Sequence, residues 1–282
     1  MKLGLIGLSI QKSSSPSMHK MLGELYDLPI SYDLNEPVEN TSEAFNTTLR
    51  KIRSQGYKGS NVTYPFKQTA LDQCDSINTA VKLVGATNTL QICDAEIKGF
   101  NTDYSGFIRG YRNRLGNTPA GQVLLIGAGG VGRAVSFALS ELGATNVVIY
   151  DLYPESASSL ADSMNASGFS ASTVTLDELE TAAQDCNGLV NCTPIGHYKT
   201  PGLPISASAI GSQEWAFDAV YTPVDTEFLL QCRAAGIKII SGFDLFFYQA
   251  LNAFEIFTGI KPDAEKVMAE YTKRYDIISS LI

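Results

Sequence analysis

Short apolar runs alternate with longer segments along the whole chain, and in those segments apolar residues return every three or four positions. Short runs rich in β-branched residues predict buried strands, and the longer period predicts amphipathic helices. In the first part of the chain, strands are predicted at Leu3–Leu8, Ser31–Asn35, Gly59–Thr63, 89–92 and Ala95–Phe100. Helices are predicted there at 16–26, Ser42–Ser54, Lys67–Cys74, Asn78–Leu83 and 101–114.

Strands and helices alternate regularly in the second part of the chain. Strands are predicted at Val123–Ile126, Val147–Tyr150, Gly188–Asn191, Ala216–Val220 and Lys238–Ile240, with helices between them, and a last helical pair at Phe243–Phe257 and Ala264–Tyr275. This alternation is typical of a doubly wound parallel sheet. We therefore predict an α/β fold with two lobes, an N-terminal α/β lobe and a Rossmann-type lobe, and a cleft between them.

The predicted domains are residues 1–103 and 104–242, with the helices of residues 243–282 packing back on the first domain. Asn117–Gly121 is the one clear linker-like stretch, because it combines Gly and Pro with small polar residues.

A glycine-rich turn follows the first strand of the second lobe. The order of strand, turn, helix, second strand and acid is that of the dinucleotide-binding fingerprint. The first glycine allows a tight turn, the second lets the backbone approach a pyrophosphate, and the third lets the helix pack closely on the strand. A glycine-rich turn without a ligand is the alternative. The predicted cofactor-binding residues are Gly127, Ala128, Gly129, Gly130, Val131 and Gly132.

Asp151 ends the second strand of this motif. A carboxylate at that position can accept a hydrogen bond from the ribose 2′-OH of NAD, whereas the 2′-phosphate of NADP would meet like charge. No Lys or Arg lies between Arg133 and Lys199, and Glu155 adds another acid. These charges favour NAD over NADP, and Arg133 is the one cation placed to accept the extra phosphate.

Composition and charge narrow the class of protein. The 282 residues are 44% hydrophobic and 18% charged, which suits one large domain or two ordinary domains with a real core. The net charge of −8 argues against nucleic acid or an anionic membrane as a partner. Residues 104–237 carry 6 basic and 12 acidic side chains, whereas residues 1–103 carry 10 and 11. The first lobe is therefore better suited to an anionic small molecule.

Cysteine and histidine usage points to a cytoplasmic protein without a metal. The five cysteines are scattered and form no C-x-x-C motif, which favours reduced thiols. The two histidines have no metal-ligand spacing. The N-terminal apolar run resembles a strand more than a signal peptide, and no apolar stretch is long enough to span a membrane.

Polar residues at the ends of the predicted elements supply candidates for proton transfer and substrate binding in the first lobe. Lys67 follows a strand end, Asn88 and Asp103 lie at element ends, and 13–15 form a serine run after the first strand. Each has an ordinary alternative: a solvated lysine, a helix cap or a polar loop. Spacing alone leaves these alternatives open.

Short motifs follow one another along the chain in an informative order. They are Gly7–Ile10 with Ser13–His19, N-V-T-Y-P-F-K at 61–67, G-A-T-N-T at 85–89, N-T-D at 101–103, G-A-G-G-V-G at 127–132, N-C-T-P-I-G at 191–196, and Gln249-Ala250. Together they resemble the shikimate dehydrogenase family, and especially its quinate/shikimate dehydrogenase branch. The resemblance covers essentially the whole chain.

The resemblance implies a role for each matching position. Lys67 would be the catalytic base and acid, with Asp103 as its partner. Ser13, Ser15 and Tyr221 would hold the substrate carboxylate, and Thr63, Asn88, Asp103 and Gln249 would bind the ring hydroxyls. The nicotinamide side would be lined by Thr193, Val220 and Gly242. A lysine can accept the alcohol proton if its pKa lies near the working pH; desolvation lowers that pKa and Asp103 raises it.

Three departures from the common family pattern bear on specificity. Asp151 and its neighbours lack the basic Asn-Arg-Thr-type motif that binds NADP. Tyr104 replaces a small residue after N-T-D, and Phe243-Asp244 occupies a usually small stretch near the nicotinamide. We expect the bulky residues to narrow the pocket or shift its substrate.

The resemblance implies an NAD-dependent oxidoreductase that interconverts shikimate and 3-dehydroshikimate, with a small cyclitol carboxylate as substrate, in a monomer or homodimer. Quinate as the main substrate is the alternative. In the branch that the chain resembles, a threonine at the position of Ser15 goes with quinate use, and a serine goes with shikimate use. Ser15 therefore favours shikimate, because rotation about χ1 is less restricted in serine than in the β-branched threonine. A catalytically silent sensor of NAD or a cyclitol is a further alternative, against which the presence of both Lys67 and Asp103 argues.

Overall fold

The computed structural model describes residues 1–275 and 277–281, and the chain forms two compact units. Unit 1 comprises Met1–Thr102 and the returning segment that begins at Gln249, and unit 2 comprises Asp103–Tyr248 and the last residues from Ile278 onward. The first division falls one residue before the expected boundary after residue 103. The helices expected to pack on the first domain from residue 243 do so only from Gln249.

Unit 1 contains a six-stranded mixed sheet. Its strands are β1 (Lys2–Ile6), β2 (Ser31–Asn35), β3 (Gly59–Val62), β4 (Ser76–Ile77), β5 (Thr89–Ile92) and β6 (Ile97–Phe100), in the order β2-β1-β3-β5-β6-β4. The helices between them are α1 (Ser15–Leu25), α2 (Ser42–Ser54), α3 (Lys67–Leu71) and α4 (Thr79–Val84). Strands β1, β2 and β3 are parallel, and β5 is antiparallel to both β3 and β6.

This mixture of directions gathers several chain ends at one edge of the sheet. The carboxyl ends of β1, β3 and β6 and the amino end of β5 all lie at that edge. The core beneath it holds Phe45 from α2 and Phe66, with ring centroids 5.3 Å apart. The polar residues that follow these strands are therefore held on a packed support.

Unit 2 contains a second six-stranded sheet, and all its strand pairs are parallel. Its strands are β7 (Gly121–Ile126), β8 (Ala144–Tyr150), β9 (Ala171–Thr173), β10 (Gly188–Asn191), β11 (Trp215–Asp218) and β12 (Lys238–Ile240). The helices are α5 (Thr102–Leu115), α6 (Gly130–Glu141), α7 (Pro154–Ala166), α8 (Leu179–Gln184) and α9 (Glu227–Ala234), with 3₁₀ turns at Leu176–Glu178 and Ala207–Ala209. The chain ends in α10 (Gly242–Thr258) and α11 (Ala264–Arg274).

The strand order of the second sheet, β12-β11-β10-β7-β8-β9, is that of the doubly wound dinucleotide-binding fold, in which ligands bind where the strand order reverses. The reversal falls between β7 and β10. The predicted α/β fold with a Rossmann-type lobe is confirmed.

The linker-like stretch Asn117–Gly121 lies inside unit 2 and is not a domain boundary. The helix before it packs on the second sheet, where Tyr111 meets Trp215 edge-on at 5.2 Å. The indole N–H of Trp215 donates to the Ala120 carbonyl (3.1 Å). Small and polar residues here make a tight connection from α5 into β7.

Two findings concern the described part of the chain only. None of its helices has both the length and the apolar character needed to cross a bilayer. It also contains no group of three or more His, Cys, Asp and Glu side chains placed to hold a metal ion.

Candidate functional site

The glycine-rich turn after β7 has the geometry that its sequence predicts. Gly127 has φ +98°, and its N–H donates to the Tyr150 carbonyl at the end of β8 (2.8 Å). A Cβ on Gly132 would lie 1.9 Å from the Gly127 carbonyl oxygen, which no side chain can occupy. The first turn of α6 therefore packs against the strand end only because Gly132 lacks a side chain.

Gly129 presents a different environment, although it belongs to the same turn. It is the N-cap of α6, and a Cβ built on it would meet no atom within 4 Å. The N–H groups at a helix start have no intrahelical partners and attract anions. The space beside Gly129, next to the start of the helix, is therefore open. Ala128, Gly130 and Val131 complete this turn.

Asp151 lies directly after β8 and holds the glycine turn from the side. One carboxylate oxygen accepts from the Ala128 N–H (2.7 Å) and the other from the Tyr153 N–H (2.9 Å). Arg133, in the first turn of α6, has its guanidinium carbon 5.7 Å from the centre of the Phe137 ring, and burial lowers its pKa. The carboxylate of Asp151 is thus hydrogen-bonded into the turn, and the Arg133 guanidinium lies over a ring of its own helix.

A buried polar network joins the ends of β10 and β11. The Asn191 side-chain amide donates to Asp218 (2.9 Å) and to the Ile195 carbonyl (2.9 Å), and its oxygen accepts from the Thr193 hydroxyl (2.7 Å) and N–H (3.0 Å). Asp218 also accepts from the Val220 N–H (2.9 Å). The network fixes Thr193 and Val220 relative to each other.

Asp218 is fully buried, and burial raises the pKa of its carboxyl to about 7; hydrogen bonds from Thr226, Val220 and Asn191 oppose that rise. Neither Asn191 nor Asp218 was given a role from the sequence. The available signal was a polar residue at the carboxyl end of each of two buried strands, which is where ligands bind in such sheets.

Gly242 adjoins the same network. A Cβ on Gly242 would lie 2.5 Å from the Val220 carbonyl oxygen and 2.7 Å from that of Ala219. Thr193, Val220 and Gly242, which the resemblance places on the nicotinamide side, are therefore brought together.

The residues that depart from the family pattern pack as follows. Asp244 caps α10 by accepting from the Ser241 N–H and hydroxyl and pairs with the Arg114 guanidinium (3.0 Å). Phe243 is buried and contacts other rings of α10. The Tyr104 hydroxyl donates to Glu141 at the end of α6 (2.5 Å).

The edge of the first sheet gathers the predicted catalytic lysine and two of the predicted substrate-binding residues. The Thr63 N–H donates to the Ile6 carbonyl (2.9 Å), and the Val62 N–H donates to the Asn88 carbonyl (2.7 Å). Lys67 begins α3 after the turn that follows Thr63, and its carbonyl accepts from the Thr87 N–H (2.9 Å). Thr63 and Asn88 thus lie at the ends of neighbouring strands, and Lys67 begins the helix next to them.

Ser13 and Ser15 lie at the start of α1, where Pro16 occupies an early helical position. The Ser13 hydroxyl donates to the Ser15 hydroxyl (3.1 Å) and accepts from the Ser15 N–H (3.2 Å). The two hydroxyl groups are therefore hydrogen-bonded to each other at the start of the helix.

The remaining predicted residues belong to other parts of the fold. Asp103 is a buried residue in the first turn of α5, and Tyr221 stacks on Phe246 with ring centroids 5.3 Å apart. Gln249 is the first residue of the segment that returns to unit 1, whereas Asp103 and Tyr221 belong to unit 2. A shared site for these three residues with Lys67 stays a prediction.

Three family profiles match most of the chain. Residues 5–90 match the shikimate dehydrogenase substrate binding domain, and residues 111–199 match shikimate / quinate 5-dehydrogenase. Residues 242–270 match the shikimate 5′-dehydrogenase C-terminal domain.

Individual proteins match nearly the whole chain. A quinate/shikimate dehydrogenase (NAD(+)) of Corynebacterium efficiens is 34% identical, covering 95% of this chain and 96% of that protein. A shikimate dehydrogenase (NADP(+)) of an Arthrobacter species is also 34% identical, covering 95% and 93%. The solved structure of quinate dehydrogenase from Corynebacterium glutamicum in complex with NAD superposes with a TM-score of 0.90 at 33% identity, covering 97% of this chain and 99% of that one.

Proposed function

Because the chain belongs to the shikimate dehydrogenase family, we propose that it is an NAD-preferring dehydrogenase that interconverts shikimate and 3-dehydroshikimate. The observation that supports this proposal is the edge of the first sheet, where Lys67 lies near Thr63 and Asn88, the two residues proposed to bind ring hydroxyls. Unit 1 would bind the cyclitol carboxylate, and unit 2 the dinucleotide.

The substrate would be held by two sets of polar groups. Ser13 and Ser15, next to the start of α1, suit a carboxylate because hydroxyls and the N-terminal end of a helix both favour a negative charge. Tyr221 would add a further hydroxyl. The ring hydroxyls would be bound by Thr63, Asn88, Asp103 and Gln249. The Asp103 carboxylate can only accept hydrogen bonds, whereas the other three side chains can both donate and accept them.

Lys67 would move the proton of the reacting hydroxyl. A neutral amine accepts that proton during oxidation, and the ammonium returns it during reduction. Asp103 would stabilise the charged form of Lys67 and orient its amine.

Residues of the glycine turn and the adjoining network would hold the cofactor. Gly127, Gly129 and Gly132 shape the turn, Asp151 would accept from the ribose, and Thr193, Val220 and Gly242 would border the nicotinamide. When bound, NAD supplies the hydride acceptor for oxidation of the alcohol. The preference for NAD rests on Asp151, because its charge and position disfavour a 2′-phosphate.

Quinate dehydrogenase activity is the second candidate, and the match to the Corynebacterium glutamicum enzyme favours it. Quinate carries an extra hydroxyl on its carboxylate-bearing carbon. None of the residues proposed above for substrate binding is a dedicated hydrogen-bond partner for that hydroxyl. A buried and poorly paired hydroxyl costs about 1–3 kcal/mol, or about 5–150-fold in kcat/KM. We therefore place shikimate first.

The test replaces Lys67 with alanine and compares steady-state rates with shikimate and NAD. Lys67→Ala should lower kcat by about 10²–10⁴-fold, with a smaller change in KM, because proton transfer takes place in the transition state. Lys82→Ala, which removes an exposed lysine from α4 in the same unit, is the matched control and should leave kcat unchanged. A Lys67→Ala enzyme with near-normal kcat would remove this lysine from the mechanism.

A further inference from the structure

A fully buried carboxylate lies behind the segments proposed to border the nicotinamide. Asp218 ends β11 and has no exposed surface. It accepts hydrogen bonds from the Asn191 side-chain amide (2.9 Å), the Val220 N–H (2.9 Å) and the Thr226 hydroxyl (2.7 Å). Because all three partners donate, both carboxylate oxygens of Asp218 are used as acceptors.

The first of these hydrogen bonds connects Asp218 to Thr193. Since the Asn191 amide donates to Asp218, its side-chain oxygen is left to accept from the Thr193 N–H (3.0 Å) and hydroxyl (2.7 Å). The Thr193 hydroxyl oxygen in turn accepts from the Ile195 N–H (3.1 Å). A Cβ built on Gly127 would lie 3.0 Å from the Thr193 methyl carbon. The segment of Thr193 is thus held between the glycine turn and the buried acid.

The second hydrogen bond connects Asp218 to the segment of Val220. One oxygen, Oδ1, accepts from both the Asn191 amide and the Val220 N–H, so the ends of β10 and β11 share a single acceptor atom. The start of α10 lies against this segment, because a Cβ on Gly242 would lie 2.5 Å from the Val220 carbonyl oxygen. Each residue placed on the nicotinamide side is therefore within two contacts of this carboxylate.

The third hydrogen bond leads to a different part of unit 2. Thr226 is the N-cap of α9: its hydroxyl donates to Oδ2 of Asp218, and its oxygen accepts from the Leu229 N–H (3.3 Å). This bond supports the start of a helix, whereas the two bonds to Oδ1 hold the segments of Thr193 and Val220. Mutations can therefore separate the two roles of the carboxylate.

We propose that Asp218 is the positioning residue for the nicotinamide ring, because it holds Thr193 and Val220 in a fixed relation to each other; this inference rests on the proposed function. Asp218 acts through these two residues and does not touch the cofactor. Segments that are ordered beforehand do not have to be ordered when the cofactor binds. A misplacement of about 1 Å can slow a reaction by about 10²-fold, so the contribution of Asp218 appears in kcat.

The test compares two replacements of Asp218, with ADP-ribose as the binding probe. ADP-ribose is NAD without the nicotinamide ring, so its binding does not depend on the position of that ring. Asp218→Ala removes the shared acceptor and should lower kcat for shikimate oxidation by about 10–100-fold, while the Kd of ADP-ribose stays within about twofold. Asp218→Asn keeps one acceptor oxygen for Asn191 and Val220, and its amide nitrogen can donate to the Thr226 oxygen. It should therefore recover most of the lost kcat.

Thr226→Val is the matched control, because it removes the third hydrogen bond of the same carboxylate and leaves the other two. It should lower the melting temperature through the lost cap of α9 and leave kcat within about twofold. If Asp218→Ala does not fold, Asn191→Ala breaks the connection to Thr193 and leaves the bonds from Val220 and Thr226. That variant should lower kcat by about tenfold with unchanged binding of ADP-ribose.

A kcat near the wild-type value in Asp218→Ala, or in its substitute Asn191→Ala, would overturn the inference. So would an equal fall of kcat in Thr226→Val, or a loss of ADP-ribose binding in parallel with kcat, since either would indicate general damage to unit 2. A wild-type enzyme inactive on shikimate would contradict the proposed function itself, whereas an active enzyme indifferent to Asp218 would contradict only this inference.

Discussion

At the scale of single residues, Asp151 combines a structural and a proposed binding role. Its two carboxylate oxygens each accept a backbone N–H, from Ala128 in the glycine turn and from Tyr153 beyond the strand. These two hydrogen bonds hold the carboxylate at the edge where the ribose of a dinucleotide lies in this fold. A cofactor with a 2′-phosphate would place like charge against that group.

Asp151→Asn should narrow the preference for NAD over NADP in kcat/KM by about tenfold or more, because it removes the repulsion. The amide keeps one acceptor oxygen, so the glycine turn retains part of its support. Asp162→Asn neutralises an exposed acid on α7 and makes the same change in net charge. An equal shift in both variants would show that overall charge, and not the position of Asp151, sets the preference.

Sequence motifs point to single residues more readily than to their hydrogen-bond partners. Ser13 and Ser15 belong to one short motif, and their hydroxyl oxygens lie 3.1 Å apart. Asn191 and Asp218 received no role from the sequence, and the hydrogen bond between them (2.9 Å) joins strands that are distant in the chain. A polar residue at the end of a buried strand indicates a ligand-binding position in such sheets, but it does not indicate which other strand end supplies its partner.

At the scale of elements, two glycines at the start of α6 have different environments, although they belong to the same turn. Gly132 permits close packing, since a Cβ there would overlap the Gly127 carbonyl. Gly129 borders open space and has an ordinary φ of −68°. One position therefore serves the fold, and the other is available to a ligand.

Gly129→Ala should leave the melting temperature nearly unchanged and raise KM for NAD, because the added methyl group would occupy the space proposed for the pyrophosphate. Overpacking costs about 1–3 kcal/mol, which corresponds to a rise in KM of about 5–150-fold. Gly132→Ala should destabilise the protein by at least the same free energy. Thermal unfolding and initial rates with varied NAD measure both effects. A Gly129→Ala enzyme with unchanged KM for NAD would place the cofactor elsewhere.

Most helices and strands were predicted to within a few residues, but two short strands were not predicted. The bounds of α2 and β10 agree with the prediction to the residue. The strands β4 and β9 were missed, because β4 has only two residues and β9 is an edge strand of Ala, Ser and Thr without an apolar run. Such short strands form because they pair with a neighbouring strand, and the local sequence propensity does not predict that pairing.

At the scale of the whole molecule, the chain crosses between its units more than once. Unit 1 is completed by residues after Gln249, and unit 2 by the last residues from Ile278 onward. The division after Thr102 lies close to the boundary expected from sequence, whereas the transfer of the last residues to unit 2 has no signal in composition. The charge distribution follows directly from the sequence, because residues 104–237 carry 6 basic and 12 acidic side chains. This excess of acidic groups disfavours the additional 2′-phosphate of NADP.

The most direct test of the proposed function is the set of wild-type kcat/KM values for shikimate and quinate, each with NAD and with NADP. Shikimate with NAD should be the best pair, and quinate should be turned over detectably but about 5–150-fold less efficiently. With either substrate, NAD should exceed NADP at equal low concentration. A kcat/KM for quinate equal to or above that for shikimate, or faster turnover with NADP, would contradict the account.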